Sequence, residues 1–246
     1  MSRLPWIAAL ALAASVACAA QPKPARVLFI GDRLTAEARI PDRLAELVRA
    51  MGRDIAVESV ASSSSTLEEH WNGGRAREAI RKGWDFVVLQ QGPSSQPGER
   101  EGLVEYAQRF AGEIRKTGAR PALLMVWPPA DRARDFPATI ESYRAAAKAS
   151  GAILAPAGEA WMRMLLKDPR TKLYAGATSP SPDGVSLTVL TLYFALFPAG
   201  PQDFDEAYVA RIARALDLEG EGRDAWFDAA TLAIDEPMAL QTRRVP

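Results

Sequence analysis

Five short apolar runs, separated by stretches of helical periodicity, constrain this chain more tightly than any other feature. They are residues 26–30 (RVLFI), 54–60 (DIAVESV), 86–90 (FVVLQ), 122–127 (ALLMVW) and 152–155. Helical stretches lie between them at 41–51, 75–82, 99–117 and 139–150. Pro41 sits where a first turn tolerates proline, Asp42 suits the positive end of the dipole, and Gly52, Gly118 and Gly151 supply stops. Strands that alternate with helices pair in parallel, because parallel neighbours need crossovers, and the helices then cover both faces. In such sheets the ligand crevice lies beyond the C-terminal strand ends. The loops after Ile30, Val60, Gln90 and Trp127 should therefore share one functional rim.

Beyond the fifth run, residues 185–197 (VSLTVLTLYFALF) are apolar almost all round, and their length favours a buried helix over a strand. Residues 205–216 form an amphipathic helix, 225–234 suggest a last one, and 241–246 read as a frayed end. The economical division is one α/β domain over 21–218 with a small C-terminal extension over 219–246.

Lys plus Arg and Asp plus Glu number thirty each, so no net field draws the chain to nucleic acid or anionic lipid. No basic stripe or zinc-finger spacing suggests a nucleic-acid partner either. Arg3 precedes the apolar run LPWIAALALAASVACAA, which ends in small residues before the polar QPKPAR. That order is the signature of a secretory signal over 1–20, with cleavage near Ala20 and no transmembrane segment left afterwards. The expected destination is the periplasm or the medium. Cys18, the only cysteine, stands where a lipoprotein would be lipidated, but Ser15-Val16-Ala17 lacks the leucine usual before such a site. Plain cleavage is the expected outcome, and no intramolecular disulfide can form.

The first strand runs into VLFIGDRLT, residues 27–35. This resembles the first block of the SGNH (GDSL-like) hydrolase superfamily, in which a strand ends in Gly-Asp-Ser-Leu-Thr and the serine is the nucleophile. Gly31, Asp32, Leu34 and Thr35 match it. TLEEHW (66–71), WDFVVLQQGPSS (84–95), LLMVWPP (123–129), ILAPAGEAW (153–161) and LYAGATSPSPDG (173–184) resemble later blocks of the family in order and spacing. The resemblance spans roughly residues 26–197. It implies a three-layer α/β/α, flavodoxin-like fold whose five-stranded parallel sheet has the order 2-1-3-4-5.

The same resemblance exposes three departures. Arg33 occupies the nucleophile position, Ser179 the general base and Gly176 its orienting acid. An arginine stays protonated and cannot attack an acyl carbon, a serine has no useful proton affinity near neutral pH, and a glycine orients nothing. The oxyanion positions have drifted as well. Ser63 or Ser64 stands in place of a glycine, and Ser94 in place of an asparagine, with Gln90 as the alternative donor. A hole without a nucleophile is a binding site. Asp32, Ser63, Ser64, Gln90, Ser94 and Trp127 are thus expected to line a retained crevice around Arg33, whose guanidinium suits a carboxylate or another anion. The competing role for Arg33 is an internal ion pair with Asp32 or another rim acid.

Other chemistries have weaker support. His70, the only histidine, reads as a helix histidine held by a backbone group or by Glu68 or Glu69. Ser65 and Glu68 have capping-box spacing, and Asp183 suits the N-cap of the apolar helix. Asp32 with Asp131 or Asp135 is the only carboxylate pairing on offer for glycosidase chemistry. There is no HExxH, Cys/His cluster, P-loop or Gly-x-Ser-x-Gly elbow, so no metal or other cofactor is expected. The leading reading is an exported SGNH-fold protein without the usual triad, binding a small molecule, a glycan or an acyl ester. Two alternatives stand beside it. One is an active esterase or carbohydrate deacetylase with a non-standard catalytic set, and the other is an interaction module.

Overall fold

All five runs form strands: β1 (Ala25–Gly31), β2 (Ile55–Ala61), β3 (Phe86–Leu89), β4 (Arg120–Leu124) and β5 (Ile153–Ala155). The computed structural model describes residues 23–63, 65–199, 204–218, 220 and 222–240. The expected signal over 1–20 with Cys18, Ser64, and the tail over 241–246 lie outside the described residues. The strands make one sheet in the order β2-β1-β3-β4-β5, every pair parallel, as expected. β4 stops at Leu124, short of Trp127. Its neighbour β5 is only three residues long, so past the bond from Met125 N–H to the Ala155 carbonyl no strand remains to pair with.

The connections are helical. α1 (Arg33–Glu37) and α2 (Ile40–Ala50) follow β1, and α3 (Leu67–Gly73) and α4 (Arg75–Ile80) follow β2. α5 (Pro97–Lys116) follows β3. A 3-10 turn (Ala130–Asp135) and α6 (Phe136–Ser150) follow β4, and α7 (Ala157–Lys167) follows β5. The chain then adds α8 (Pro182–Leu196), α9 (Glu206–Ala215) and α10 (Arg223–Asp235). α2 packs with α8 and α9, whereas α5 packs with both α3 and α6, giving the two helical layers of an α/β/α sandwich. α10 closes over α7 and α8.

The apolar stretch from 185 is a helix, as its length suggested. Leu187, Val189, Leu190 and Leu192 of α8 are fully buried, each worth about 1.5–3 kcal/mol of transfer free energy. Two caps differ from expectation, one by a single residue and the other by two. The capping box of α3 is Thr66 with Glu69, not Ser65 with Glu68. The Thr66 hydroxyl accepts from Glu69 N–H at 3.2 Å and the Glu69 carboxylate accepts from Thr66 N–H at 2.9 Å, while Glu68 takes the Tyr106 hydroxyl at 2.9 Å. At α8 the N-cap is Ser181, not Asp183. The Ser181 hydroxyl accepts from Gly184 N–H at 3.0 Å because Pro182 begins the helix and leaves Asp183 inside its first turn.

One buried charge ties the end of the chain down. Glu159 on α7 is wholly buried and pairs with Arg144 of α6 at 2.6 Å and Arg163 at 3.2 Å. It also accepts from Met238 N–H at 2.6 Å, while Arg144 donates to the Met238 carbonyl at 2.9 Å. Arg163 donates to the Glu236 carbonyl.

α7 approaches the sheet so closely that a Cβ on Gly158 would run into the Val126 carbonyl, a backbone atom that cannot swing away. Gly158→Ala should therefore lower the unfolding free energy by about 1–3 kcal/mol, measured by urea titration. Gly112, exposed on α5 with open space around it, should do the reverse. Gly112→Ala is expected to raise stability by about 0.5–1 kcal/mol.

Candidate functional site

The rim is built on the end of β1. Gly31 is obligatory there, since a Cβ would collide with the Thr35 hydroxyl and the Gln90 side chain. Gln90, fully buried just past β3, receives the Asp32 N–H at 3.1 Å and the Thr35 hydroxyl at 2.9 Å on its Oε1. Its Nε2 donates to the Gln91 carbonyl at 2.9 Å. His70 Nε2 donates to the Gly31 carbonyl at 2.8 Å, which makes it the backbone-held helix histidine that the sequence suggested.

These anchors turn the chain sharply into α1. The Asp32 carboxylate accepts from Leu34 N–H at 2.8 Å and so caps the helix. Burial pushes the Asp32 carboxyl above the usual range, against the Leu34 and Gln90 hydrogen bonds and the nearby Arg33 and His70, which favour its charged form. Arg33 therefore finds its acid one turn on. It pairs with Glu37 at 3.2 Å, not with Asp32, whose carboxylate is turned into the cap. The guanidinium also donates to the Ser179 hydroxyl at 3.2 Å and to the Thr178 hydroxyl at 2.9 Å.

Ser179 and Thr178 sit on a tight loop closed by the Tyr174–Pro180 bridge and by Ala175 N–H donating to the Ser179 carbonyl at 2.9 Å. The Tyr174 hydroxyl donates to the Pro128 carbonyl at 2.8 Å, and Ala130 N–H to the Ala177 carbonyl at 2.8 Å, pinning this loop against the one after β4. Gly176 is exposed on the same loop, with no atom within 4 Å of where a Cβ would lie.

A cleft of about 230 Å³ opens here, lined by Asp32, Arg33, Ser63, Trp127, Arg132 and Thr178. Gly92 and Pro93 separate it from a hollow of about 290 Å³ lined by Asp32, Glu68, Gln91, Ser94 and Glu99. One half of the rim thus carries two guanidiniums and the other carries carboxylates. Trp127 stacks on Trp161 with centroids 3.6 Å apart and planes 9° apart, and its buried indole N–H has no acceptor among the described residues.

Of the residues expected in the crevice, Asp32, Arg33, Ser63 and Trp127 line the cleft. Ser94 lines the adjoining hollow, and Gln90 lies beneath both as a buried support. Ser94 holds a left-handed φ of 55°, and its hydroxyl is engaged inward, accepting from Gln91 Nε2 at 2.8 Å and donating to the Gly92 carbonyl at 3.1 Å. Asp131 and Asp135 are not among the cleft residues, and Asp135 faces Arg132 and Arg134, each at 3.9 Å. Arg132 and Thr178 were not anticipated. Thr178 adjoins Ser179 in sequence, but Arg132 carries no local signal. Among the described residues no cluster of His, Cys, Asp and Glu could hold a metal ion, and no helix is long and apolar enough to cross a membrane.

A five-stranded parallel sheet in this order between two helical layers, with a Gly-Asp turn after β1 facing the loop before α8, is consistent with a three-layer α/β/α SGNH hydrolase fold. No family model matches the sequence, and no curated protein matches it. Solved structures do. A protein from Slackia heliotrinireducens assigned to the SGNH hydrolases superposes with a TM-score of 0.60 at 26% identity, over 70% of this chain and 99% of its own. A DUF4886 family protein from Bacteroides uniformis gives 0.67 at 15% identity, over 89% and 98%. An acetylxylan esterase from Geobacillus stearothermophilus, solved as a catalytic mutant, gives 0.55 at 16% identity, over 71% and 95%. The chain is an SGNH-like superfamily member.

The raised Asp32 carboxyl has a definite sign in stability. The folded protein holds the proton over a pH range where the unfolded chain, with its lower carboxyl pKa, has lost it, so this group's contribution falls as pH rises through that window. Asp32→Asn keeps an oxygen for the cap and removes the titration. Its melting temperature, followed by circular dichroism, should exceed that of the wild type more at pH 7 than at pH 3.

Proposed function

We propose that this chain is a non-hydrolytic member of its superfamily, exported in mature form from about residue 21, whose rim cleft binds a small anionic ligand such as an acidic glycan or organic acid. The observation that carries the reading is the contact between Arg33 and Ser179. Two residues 146 positions apart, at the places where the resemblance puts nucleophile and base, face each other at 3.2 Å as a guanidinium and a hydroxyl. A protonated guanidinium is no nucleophile, a serine hydroxyl is no general base, and the one imidazole is engaged with Gly31. The guanidinium retains further donors beyond those it spends on Glu37, Thr178 and Ser179, and Arg132 adds a second cation across the cleft. Trp127 and Pro93 offer a flat apolar wall for the ligand's body. The apolar run before residue 21 supports export, and the acylated xylans handled by the Geobacillus neighbour make a cell-envelope or plant glycan a sensible class to screen.

Purified mature protein should not turn over aryl acetates or acetylated xylo-oligosaccharides, and a fluorophosphonate should not label it. Stoichiometric labelling of Ser63, Ser65, Ser94 or Ser95 would overturn this reading in favour of an active esterase. Arg33→Gln is expected to weaken binding of galacturonate oligomers or citrate at least tenfold, about 1.4 kcal/mol, by calorimetry. Its melting temperature should change by only a few degrees. The Arg33 and Glu37 side chains are 35% and 61% exposed, and such pairs are worth about 1 kcal/mol or less.

A further inference from the structure

The opposite end of the sheet carries a second cationic feature, at the N-terminal ends of β3 and β4 and the last turn of α8. A groove of about 400 Å³ lies there, lined by Arg53, Phe86, Arg120, Tyr193, Phe197 and Tyr208. α8 starts at the rim and ends beside this groove, so its fifteen residues set the two sites about 20 Å apart. At the centre is an edge-to-face pair, Phe86 with Phe197, centroids 5.6 Å apart and planes at 73°. A guanidinium lies over each ring, Arg53 over Phe197 at 5.1 Å and Arg120 over Phe86 at 5.2 Å. Tyr193 extends the aromatic wall, 5.7 Å from Phe197, and its hydroxyl meets that of Tyr208 at 3.4 Å.

Both arginines are exposed, and neither makes an ion pair or donates from its side chain to a carbonyl among the described residues. That sets them apart from most of the described arginines, whose guanidiniums reach a carboxylate or a backbone oxygen, as Arg33, Arg100, Arg115 and Arg223 do. Lying over a ring engages a face of the guanidinium and leaves its in-plane N–H groups free to donate. Both arginines line the same groove, so an anion entering it would meet two cations.

We propose that this groove binds an aromatic carboxylate, the carboxylate held between Arg53 and Arg120 and the ring packed against Phe197 and Tyr193. The wall chemistry selects the ligand's body. A sugar ring needs acceptors and donors around its hydroxyls, whereas the lining offers only the two tyrosine hydroxyls, already in contact with each other, beside the arginines. A flat apolar ring asks for nothing more than the aromatic surface that is there. The groove is separate from the rim cleft and does not depend on how that cleft is used.

The test is titration of the full mature chain with benzoate, followed by calorimetry and by the tyrosine NMR signals. Cyclohexanecarboxylate serves as a probe with the charge but not the aromatic ring, and benzyl alcohol as one with the ring but not the charge. Saturable benzoate binding is expected, at least tenfold tighter than either control. Arg53→Gln and Arg120→Gln should each weaken it at least tenfold, and Arg33→Gln should leave it unchanged. Both substituted residues are exposed, and an unaltered circular dichroism spectrum checks that the variants remain folded. Absence of saturable binding, equal binding of cyclohexanecarboxylate, or affinity that survives both substitutions would overturn the proposal. Loss of binding in Arg33→Gln would also overturn it, by assigning the benzoate to the rim.

Discussion

Gln90 Oε1 receives two hydrogens from the turn that follows β1, one from the Asp32 amide and one from the Thr35 hydroxyl, and most of the rim's shape follows from that acceptor. The carboxamide is wholly buried, so its two partners have no water to compete for. It stitches the end of β3 to the turn after β1, and the tightness of that stitch is what forbids a side chain at Gly31. With Asp32 fixed from below, its carboxylate is free to cap α1, and Arg33 is left at the first position of that helix, facing the loop before α8. The identity of the side chain at 33 is almost irrelevant to this scaffold. The same backbone would present whatever residue stood there.

That separation explains why the fold was legible while the site was only partly so. The strands announced themselves as apolar runs because β1, β3 and β4 are buried on both faces. The edge strand β2 is more open, with Ala56, Glu58 and Ser59 exposed. The strand order came from the likeness to a family, since apolar runs alone do not say which neighbours pair. Short-range competition was harder to read. Ser65 and Thr66 are both capping residues and Glu68 and Glu69 are both acids, and it was the Tyr106 hydroxyl on α5 that drew Glu68 away and settled the register. Likewise Asp32 is the nearest acid to Arg33 in sequence, yet its carboxylate was already engaged by a backbone amide two residues on.

Arg132 and Thr178 show the limit from the other side. Each lies on a loop, where no periodicity tells which way a side chain faces, and each reaches the cleft because the Tyr174 and Ala130 hydrogen bonds press two distant loops together. Electrostatics at the rim is thus a product of loop packing. Two guanidiniums stand on one side of Pro93, with Glu68 and Glu99 on the other and Asp32 shared between them. A ligand lying across both halves would meet opposite fields at its two ends, which fixes its direction as well as its charge.

The buried Glu159 cluster bears on how the chain reaches this state at all. Its carboxylate is shared by two arginines and the Met238 amide, and those arginines in turn hold the carbonyls of Glu236 and Met238. During synthesis the sheet, α7 and α8 emerge long before residues 236–238 do. A nascent chain halted anywhere in α9 or α10 therefore exposes the apolar faces of α7 and α8 around a charge lacking one of its donors. Completion of this cluster has to wait until residues 236–238 have left the ribosome.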